Sequence, residues 1–136
     1  YSNDENESTN LDKWFPESRL DEILSICDII IIALPLRTQT KHLLGIEQFT
    51  AMGPNTYLIN VSRGELIIEN ELRIALKNKM IKAAALDVFS IEPLPKRSKF
   101  WKMNNILISP HVAGNINFFV QDIQKDFINQ INKELV

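Results

Sequence analysis

The sequence predicts an α/β fold: a parallel sheet with flanking helices, ending in a long C-terminal helix. Three observations predict it. Four short runs rich in Ile, Val or Leu lack polar alternation, which is typical of strands buried on both faces of a sheet. Their starts recur about every 25 residues, and the segments between them carry helical patterns, which favours βα units and parallel pairing. The chain of 136 residues is long enough for one packed core.

The four predicted strands span residues 28–34, 56–61, 82–89 and 105–109, with the sequences DIIIIAL, TYLINV, KAAALDVF and NILIS. Ligands of open α/β sheets bind beyond the carboxyl ends of the strands. The candidate functional segments are therefore the four that follow or close these strands, LPLRTQT, VSRGE, DVFSIEP and SPHVAG.

Two short helices are predicted in the first half of the chain. Ser18 followed by Asp21 forms a capping pair for a helix that ends near Cys27. A second helix presents apolar residues between positions 46 and 52 and is closed by Gly53 and the proline after it.

Two further helices are predicted by apolar spacing. Apolar residues from Ile68 to Met80 recur at i, i+4, i+7, i+8 and i+12, with acidic residues in the first turn and lysines in the last, as the helix dipole favours. The last helix begins near Asn115 and runs to the C-terminus. At about 20 residues it reaches roughly 30 Å, so we expect it to cross to a second domain.

Composition excludes several classes of protein. Hydrophobic residues at 45%, charged residues at 24%, 4 Gly and 6 Pro indicate an ordinary folded domain. A net charge of -2 without a basic stripe predicts no nucleic-acid partner. The single Cys27 is typical of a protein in a reducing compartment. The longest apolar run is too short to span a bilayer, and the first ten residues are polar, unlike a signal peptide. We therefore expect a cytoplasmic protein without a membrane partner. No cluster has the spacing of metal ligands, so no metal is expected.

Arg63 is the first candidate for chemistry. It follows the second strand and precedes Gly64, whose small size lets the backbone turn and lets a ligand approach. A guanidinium there can bind a carboxylate with two parallel hydrogen bonds. The alternative is a surface arginine paired with Glu65.

The other candidates are two carboxylates and a histidine. Asp87 lies inside the apolar third strand, where a carboxylate needs partners, so it is either a structural hydrogen-bonding group or a site residue. Glu92 precedes Pro93 and is either a solvated acid or a functional one. His111 ends the fourth strand, and its imidazole suits proton exchange near neutral pH, although lone histidines often serve structure alone.

Together these residues indicate one reaction. An arginine that binds an anion, a histidine that transfers a proton and a carboxylate that stabilises the imidazolium are what reduction of a 2-oxo acid requires. Since no side chain supplies hydride, a nicotinamide cofactor is expected.

Four ordered stretches resemble the D-isomer-specific 2-hydroxyacid dehydrogenases, the family that includes phosphoglycerate dehydrogenase and glyoxylate/hydroxypyruvate reductase. They are CDIIIIALPLRTQTKHLLG at 27–45, TYLINVSRGELI at 56–67, AAALDVFSIEPLP at 83–95 and NILISPHVAG at 105–114. The resemblance covers residues from about 18 to 118, with family-like spacing, and it implies a partial Rossmann-type parallel sheet.

The resemblance implies roles for particular residues. Arg63 would bind the substrate carboxylate, His111 would be the acid/base, and Glu92 would pair with His111. Asp87 would hydrogen-bond the nicotinamide carboxamide. The remaining residues expected to line the dinucleotide cleft are Pro35, Thr40, Val61, Ser62 and Gly114.

The resemblance also implies an incomplete chain, because no G-x-G-x-x-G occurs in it. We expect residues 1–17 to be a loop or linker, 18–114 the C-terminal half of a dinucleotide-binding domain, and 115–136 the helix that crosses to a missing substrate domain. The chain is thus expected to be a fragment of a homodimeric, NAD- or NADP-dependent enzyme acting on small 2-oxo and 2-hydroxy acids, with glyoxylate or hydroxypyruvate favoured. The alternatives are a dinucleotide-sensing binding protein of the same fold and an inactive truncated remnant.

Overall fold

A computed structural model describes residues 15–114, which form a four-stranded sheet in the order β1-β2-β3-β4. All three strand pairs are parallel. The strands are β1 Ile29–Ile32, β2 Tyr57–Asn60, β3 Ala83–Leu86 and β4 Ile106–Ile108. Because all three pairs are parallel, every strand ends at the same edge of the sheet. The predicted α/β class and parallel sheet are confirmed.

Three α-helices accompany the strands: α1 Leu20–Ile26 precedes β1, α2 Ile46–Met52 lies between β1 and β2, and α3 Glu69–Lys77 lies between β2 and β3. Three short 3-10 turns, Glu17–Arg19, Gly64–Leu66 and Lys99–Lys102, complete the described elements. Helix α3 carries acidic residues in its first turn and Lys77 in its last, as predicted.

The predicted capping pair at the start of α1 is wrong. Ser18 lies inside the preceding 3-10 turn, and Arg19 occupies the N-cap position without a side-chain capping hydrogen bond. The turn is closed instead by the Arg19 N–H, which donates to the Pro16 carbonyl at 2.9 Å. The long helix predicted from Asn115 lies outside the described residues.

One face of the sheet packs against the helices and forms the core. The row Ile32, Asn60, Leu86 and Ile108 runs across it in register. These positions adjoin a buried cluster to which all three helices contribute, with Leu24 from α1, Phe49 and Met52 from α2, and Leu72, Ala75 and Leu76 from α3. Burial of this apolar surface is the main stabilising term of the fold.

The opposite face contradicts the expectation of strands buried on both sides. In the row that joins Ile31, Ile59, Ala85 and Leu107, the two outer side chains are 61% and 54% exposed. The alternating burial of β1, β2 and β3 has the same origin, because the three helices of residues 15–114 all contribute to the core on one face. Within those residues, no helix is both long and apolar enough to cross a bilayer.

Candidate active site

The predicted site residues lie on loops that leave the carboxyl ends of the strands. Asp87 directly follows β3, rather than lying inside it as expected, since that strand ends at Leu86. Its side chain is 5% exposed. A carboxylate so placed requires hydrogen-bond donors.

Three donors from the loop after β4 meet the Asp87 carboxylate. Oδ1 accepts hydrogen bonds from the Ser109 hydroxyl and from the Val112 N–H at 3.0 Å, and Oδ2 accepts one from the Ala113 N–H at 2.9 Å. Burial raises the pKa of Asp87, but the Ser109 hydroxyl and the two backbone N–H groups together lower that pKa below its usual value. Asp87 is therefore an ionised carboxylate, and in this form it holds the loop that carries His111.

His111 stands at the bend of this loop with φ 57°. A non-glycine residue rarely adopts this left-handed conformation, which the hydrogen bonds of the next two residues to Asp87 hold in place. Imidazole Nδ1 lies 2.7 Å from Oε2 of Glu92, across 19 residues of sequence. Both side chains are partly exposed, at 46% and 36%, so the pair is open to a ligand.

Glu92 is held on its other side by the backbone. Its Oε1 accepts the Phe89 N–H at 2.9 Å. The hydrogen bond from His111, followed by that from Phe89, lowers the pKa of Glu92 below its ordinary value. Because an ionised carboxylate only accepts hydrogen bonds, Nδ1 of His111 must carry the proton, and Nε2 is the ring atom directed away from Glu92.

The Arg63 turn is built on Asn60, the last residue of β2. The Asn60 side chain is fully buried, donates through Nδ2 to the Arg63 carbonyl at 2.9 Å and accepts the Ser62 N–H at 3.0 Å. The Ser62 hydroxyl donates to the Leu34 carbonyl and so ties this turn to the loop after β1.

Gly64 brings the Arg63 turn into backbone contact with the loop that carries Glu92. A Cβ on Gly64 would lie 2.0 Å from the Phe89 carbonyl carbon and 2.3 Å from the Ser90 nitrogen. We expected this glycine to leave room for a ligand. In the structure it leaves room for another loop of the same chain instead.

The Arg63 side chain is exposed, and its Nη1 donates to the Ser62 carbonyl at 2.6 Å. Across residues 15–114 no ion pair links Arg63 to Glu65. The structure therefore places Arg63, Glu92 and His111 on three loops of one edge, two of them in direct contact through Gly64.

The residues expected to line a dinucleotide cleft divide into two groups. Pro35, Val61 and Gly114 are exposed, and Ser62 is half-buried. Thr40 is 1% exposed, and its hydroxyl donates to the Pro35 carbonyl at 2.8 Å and accepts the Arg37 N–H at 2.8 Å. The Thr40 side chain therefore shapes the loop from within.

Sequence reasoning missed Asn60 and Ser109, whose side chains hold the turns at Arg63 and His111. The available signal for Asn60 was a polar residue at the end of the apolar run TYLIN, the same signal that singled out Asp87. In the part of the chain that the structure describes, no group of three or more His, Cys, Asp or Glu side chains could hold a metal ion.

Comparison with known proteins agrees with this architecture. The model of the D-isomer specific 2-hydroxyacid dehydrogenase, NAD binding domain, matches residues 1–113. The chain is 45% identical over 95 residues to glyoxylate/hydroxypyruvate reductase B of Enterobacter agglomerans, covering 70% of this chain and 29% of that protein. It is 35% identical over 121 residues to glyoxylate/hydroxypyruvate reductase A of Photorhabdus laumondii, covering 89% of this chain and 38% of that protein.

A solved structure with the same fold is the D-isomer specific 2-hydroxyacid dehydrogenase of Xanthobacter autotrophicus Py2 in complex with NADPH and MES. The TM-score is 0.68 at 36% identity, over 71% of this chain and 40% of that one. The chain thus spans well under half the length of these relatives. The match over residues 1–113, together with the parallel sheet and its strand-end loops, shows that this chain belongs to the D-isomer specific 2-hydroxyacid dehydrogenase family.

Proposed function

We propose that this chain forms part of an NAD(P)-dependent oxidoreductase that interconverts 2-oxo acids and D-2-hydroxy acids. The observation that carries the proposal is the 2.7 Å contact between His111 Nδ1 and Glu92 Oε2 at the carboxyl edge of a parallel sheet. Ligands of such sheets bind at this edge, and a carboxylate-oriented imidazole is a general acid and base. Membership of the family supports the same reaction.

His111 is the proton donor and acceptor in this proposal. Reduction of a 2-oxo acid adds a hydride to the carbonyl carbon and a proton to the carbonyl oxygen. With Nδ1 committed to Glu92, Nε2 delivers that proton, and in the reverse direction it removes the hydroxyl proton. Glu92 fixes the ring orientation and stabilises the imidazolium by opposite charge.

Arg63 binds the substrate carboxylate. Its guanidinium is exposed at the same edge of the sheet, and within residues 15–114 it forms no ion pair with an acid. Its hydrogen bond to the Ser62 carbonyl leaves other N–H donors for a carboxylate, which guanidinium binds in a two-point geometry.

The residues at this edge fit a nicotinamide cofactor. Two exposed apolar residues, Pro35 and Val61, offer a surface for a planar ring, and a carboxylate has about four acceptor sites, of which Asp87 uses three within the protein. Asp87 thus retains one acceptor site for a carboxamide N–H. Ser62 and Gly114 complete the lining, and Thr40 contributes from within the loop by holding Pro35 in place. Bound there, reduced nicotinamide would supply the hydride.

The names of the relatives support a finer assignment of the substrate. Two of them are named glyoxylate/hydroxypyruvate reductases, which favours small 2-oxo acids as substrates. We propose that residues 18–114 serve as part of the dinucleotide-binding domain, that 1–17 form a linker, and that 115–136 connect to the region that completes the substrate site. A cytoplasmic homodimer is the expected native state.

The proposal is tested by oxidation of NADH and NADPH by the native protein with glyoxylate, hydroxypyruvate or pyruvate, followed by reduced-nicotinamide absorbance. We expect turnover with at least one pair. Arg63→Ala should raise the KM for the oxo acid, and Arg19→Ala, another exposed arginine, is the matched control. Dinucleotide binding by calorimetry without turnover would contradict the proposal and favour a dinucleotide-sensing protein. Absence of both would favour an inactive remnant.

A further inference from the structure

Asn60 is a polar residue buried in the core face of the sheet. It ends β2 in register with Ile32 of β1 and Leu86 of β3, and its side chain is fully buried. An amide buried among apolar residues costs free energy unless its polar atoms are hydrogen-bonded. Retention of an amide at this position therefore requires a structural reason.

Both ends of the Asn60 amide hold the turn that follows. Nδ2 donates to the Arg63 carbonyl at 2.9 Å, and Oδ1 accepts the Ser62 N–H at 3.0 Å. The side chain thereby bridges the two residues from inside the turn. A carboxylate could accept the Ser62 N–H but could not donate to Arg63, and an apolar side chain could do neither.

Asn60 also connects the Arg63 turn to the neighbouring strand end. Its carbonyl accepts the Asp87 N–H at 3.0 Å. Asp87 in turn holds the loop of His111 through Val112 and Ala113. The turns that carry Arg63 and His111 are thus held by Asn60 and Asp87, two buried residues whose backbones are hydrogen-bonded to each other.

We propose that Asn60 is the positioning residue that fixes the Arg63 turn, and with it the guanidinium, for binding of the 2-oxo acid carboxylate. This inference rests on the proposed function. Because Asn60 acts through Arg63, its loss should affect the KM for the oxo acid far more than the KM for the dinucleotide. A purely structural role would affect neither selectively.

Thr56 provides a matched control at the opposite end of the same strand segment. It is 2% exposed, and its hydroxyl lies 2.6 Å from the Met52 carbonyl and 3.2 Å from the Cys27 carbonyl. Thr56→Val removes buried hydrogen bonds from the β2 segment but leaves the Arg63 turn intact. Asn60→Ala removes both bridging bonds, and Asn60→Asp retains the one to Ser62.

The experiment compares these variants in the native protein. We expect Asn60→Ala to raise the KM for the oxo acid about tenfold, as loss of about 1.4 kcal/mol of binding would. Asn60→Asp should also raise it, because its second carboxylate oxygen would face the Arg63 carbonyl oxygen without a proton between them, and Thr56→Val should not. In an Arg63→Ala background, Asn60→Ala should have little further effect, since the two changes remove the same interaction. Amide exchange at Ser62 should accelerate in Asn60→Ala but not in Thr56→Val.

The outcomes separate the two claims. An unchanged KM in Arg63→Ala contradicts the proposed function itself. A raised KM in Arg63→Ala with additive effects of Asn60→Ala, or with an equal KM increase in Thr56→Val, overturns the positioning role alone. Unchanged Ser62 exchange in Asn60→Ala also overturns it, and that measurement requires no turnover.

Discussion

The space that a side chain on Gly64 would fill is occupied by the backbone of Phe89, whose carbonyl carbon would lie 2.0 Å from an added Cβ. The Arg63 turn and the Glu92 loop are therefore packed backbone against backbone. A side chain at position 64 would push these two segments apart, so their close packing requires this glycine.

Gly64→Ala should consequently destabilise the protein. The clash involves main-chain atoms and cannot be relieved by a side-chain rotation, so we expect a loss of about 3 kcal/mol in the free energy of unfolding. Urea denaturation measures it. Gly114→Ala is the control, because within residues 15–114 no heavy atom lies within 4 Å of a Cβ there, and it should cost less than about 0.5 kcal/mol. Equal stability of Gly64→Ala and the parent protein would contradict the observed contact.

Acid should weaken the hold of Asp87 on the His111 loop. The folded-state pKa of Asp87 lies below its ordinary value, about 3.9 in unfolded chains. Its stabilisation is therefore fully present above that value and is lost as the pH falls through the lower folded-state pKa. Asp87→Asn should cost about 1–3 kcal/mol at neutral pH, and this deficit should shrink toward acid.

Urea midpoints of both proteins across a pH series give that deficit directly. A deficit that stays constant from neutral pH down through the acid range would contradict an ionised Asp87 as the anchor of the loop.

The positions of the strands could be predicted from the sequence because strands that contribute to the core are rich in apolar residues. Runs such as IIII and AAAL mark β1 and β3, and the parallel pairing follows from the helices between them. The exposed Ile31 and Leu107 could not be foreseen, since an apolar run reads the same whether one or both faces are covered. Likewise Val88 and Phe89 extend an apolar run but lie buried beyond the end of β3.

Residue type and position at a strand end were sufficient to predict which side chains belong to the candidate site, but not which contacts hold them. Arg63, Glu92 and His111 were found that way, and the structure brings their loops together. The Asn60 hydrogen bonds are local but depend on the conformation of the turn. The Ser109 hydrogen bond to Asp87 and the reason for Gly64 depend on contacts between segments more than 20 residues apart in sequence. Local patterns contain no information on such contacts.

Removal of the imidazole should raise the pKa of Glu92. The hydrogen bond from His111 is the largest cause of its lowered pKa, so in His111→Ala that pKa should move back toward the ordinary range, while the Phe89 N–H retains part of the lowering. Carbon-detected NMR titration of the carboxyl group measures the change. His42→Ala removes the other histidine, which shares the left-handed conformation with φ 57°, and is the control. The same Glu92 pKa in both variants would contradict the pairing.

The central claim is that the Glu92–His111 pair transfers the proton in 2-oxo acid reduction. The most direct test is kcat of the native protein with glyoxylate or hydroxypyruvate and reduced dinucleotide, compared between His111→Ala and His42→Ala. General acid catalysis contributes about 100- to 10,000-fold, so His111→Ala should lose at least about 100-fold while His42→Ala retains the parent rate. A kcat for His111→Ala equal to that of the parent protein would contradict the claim.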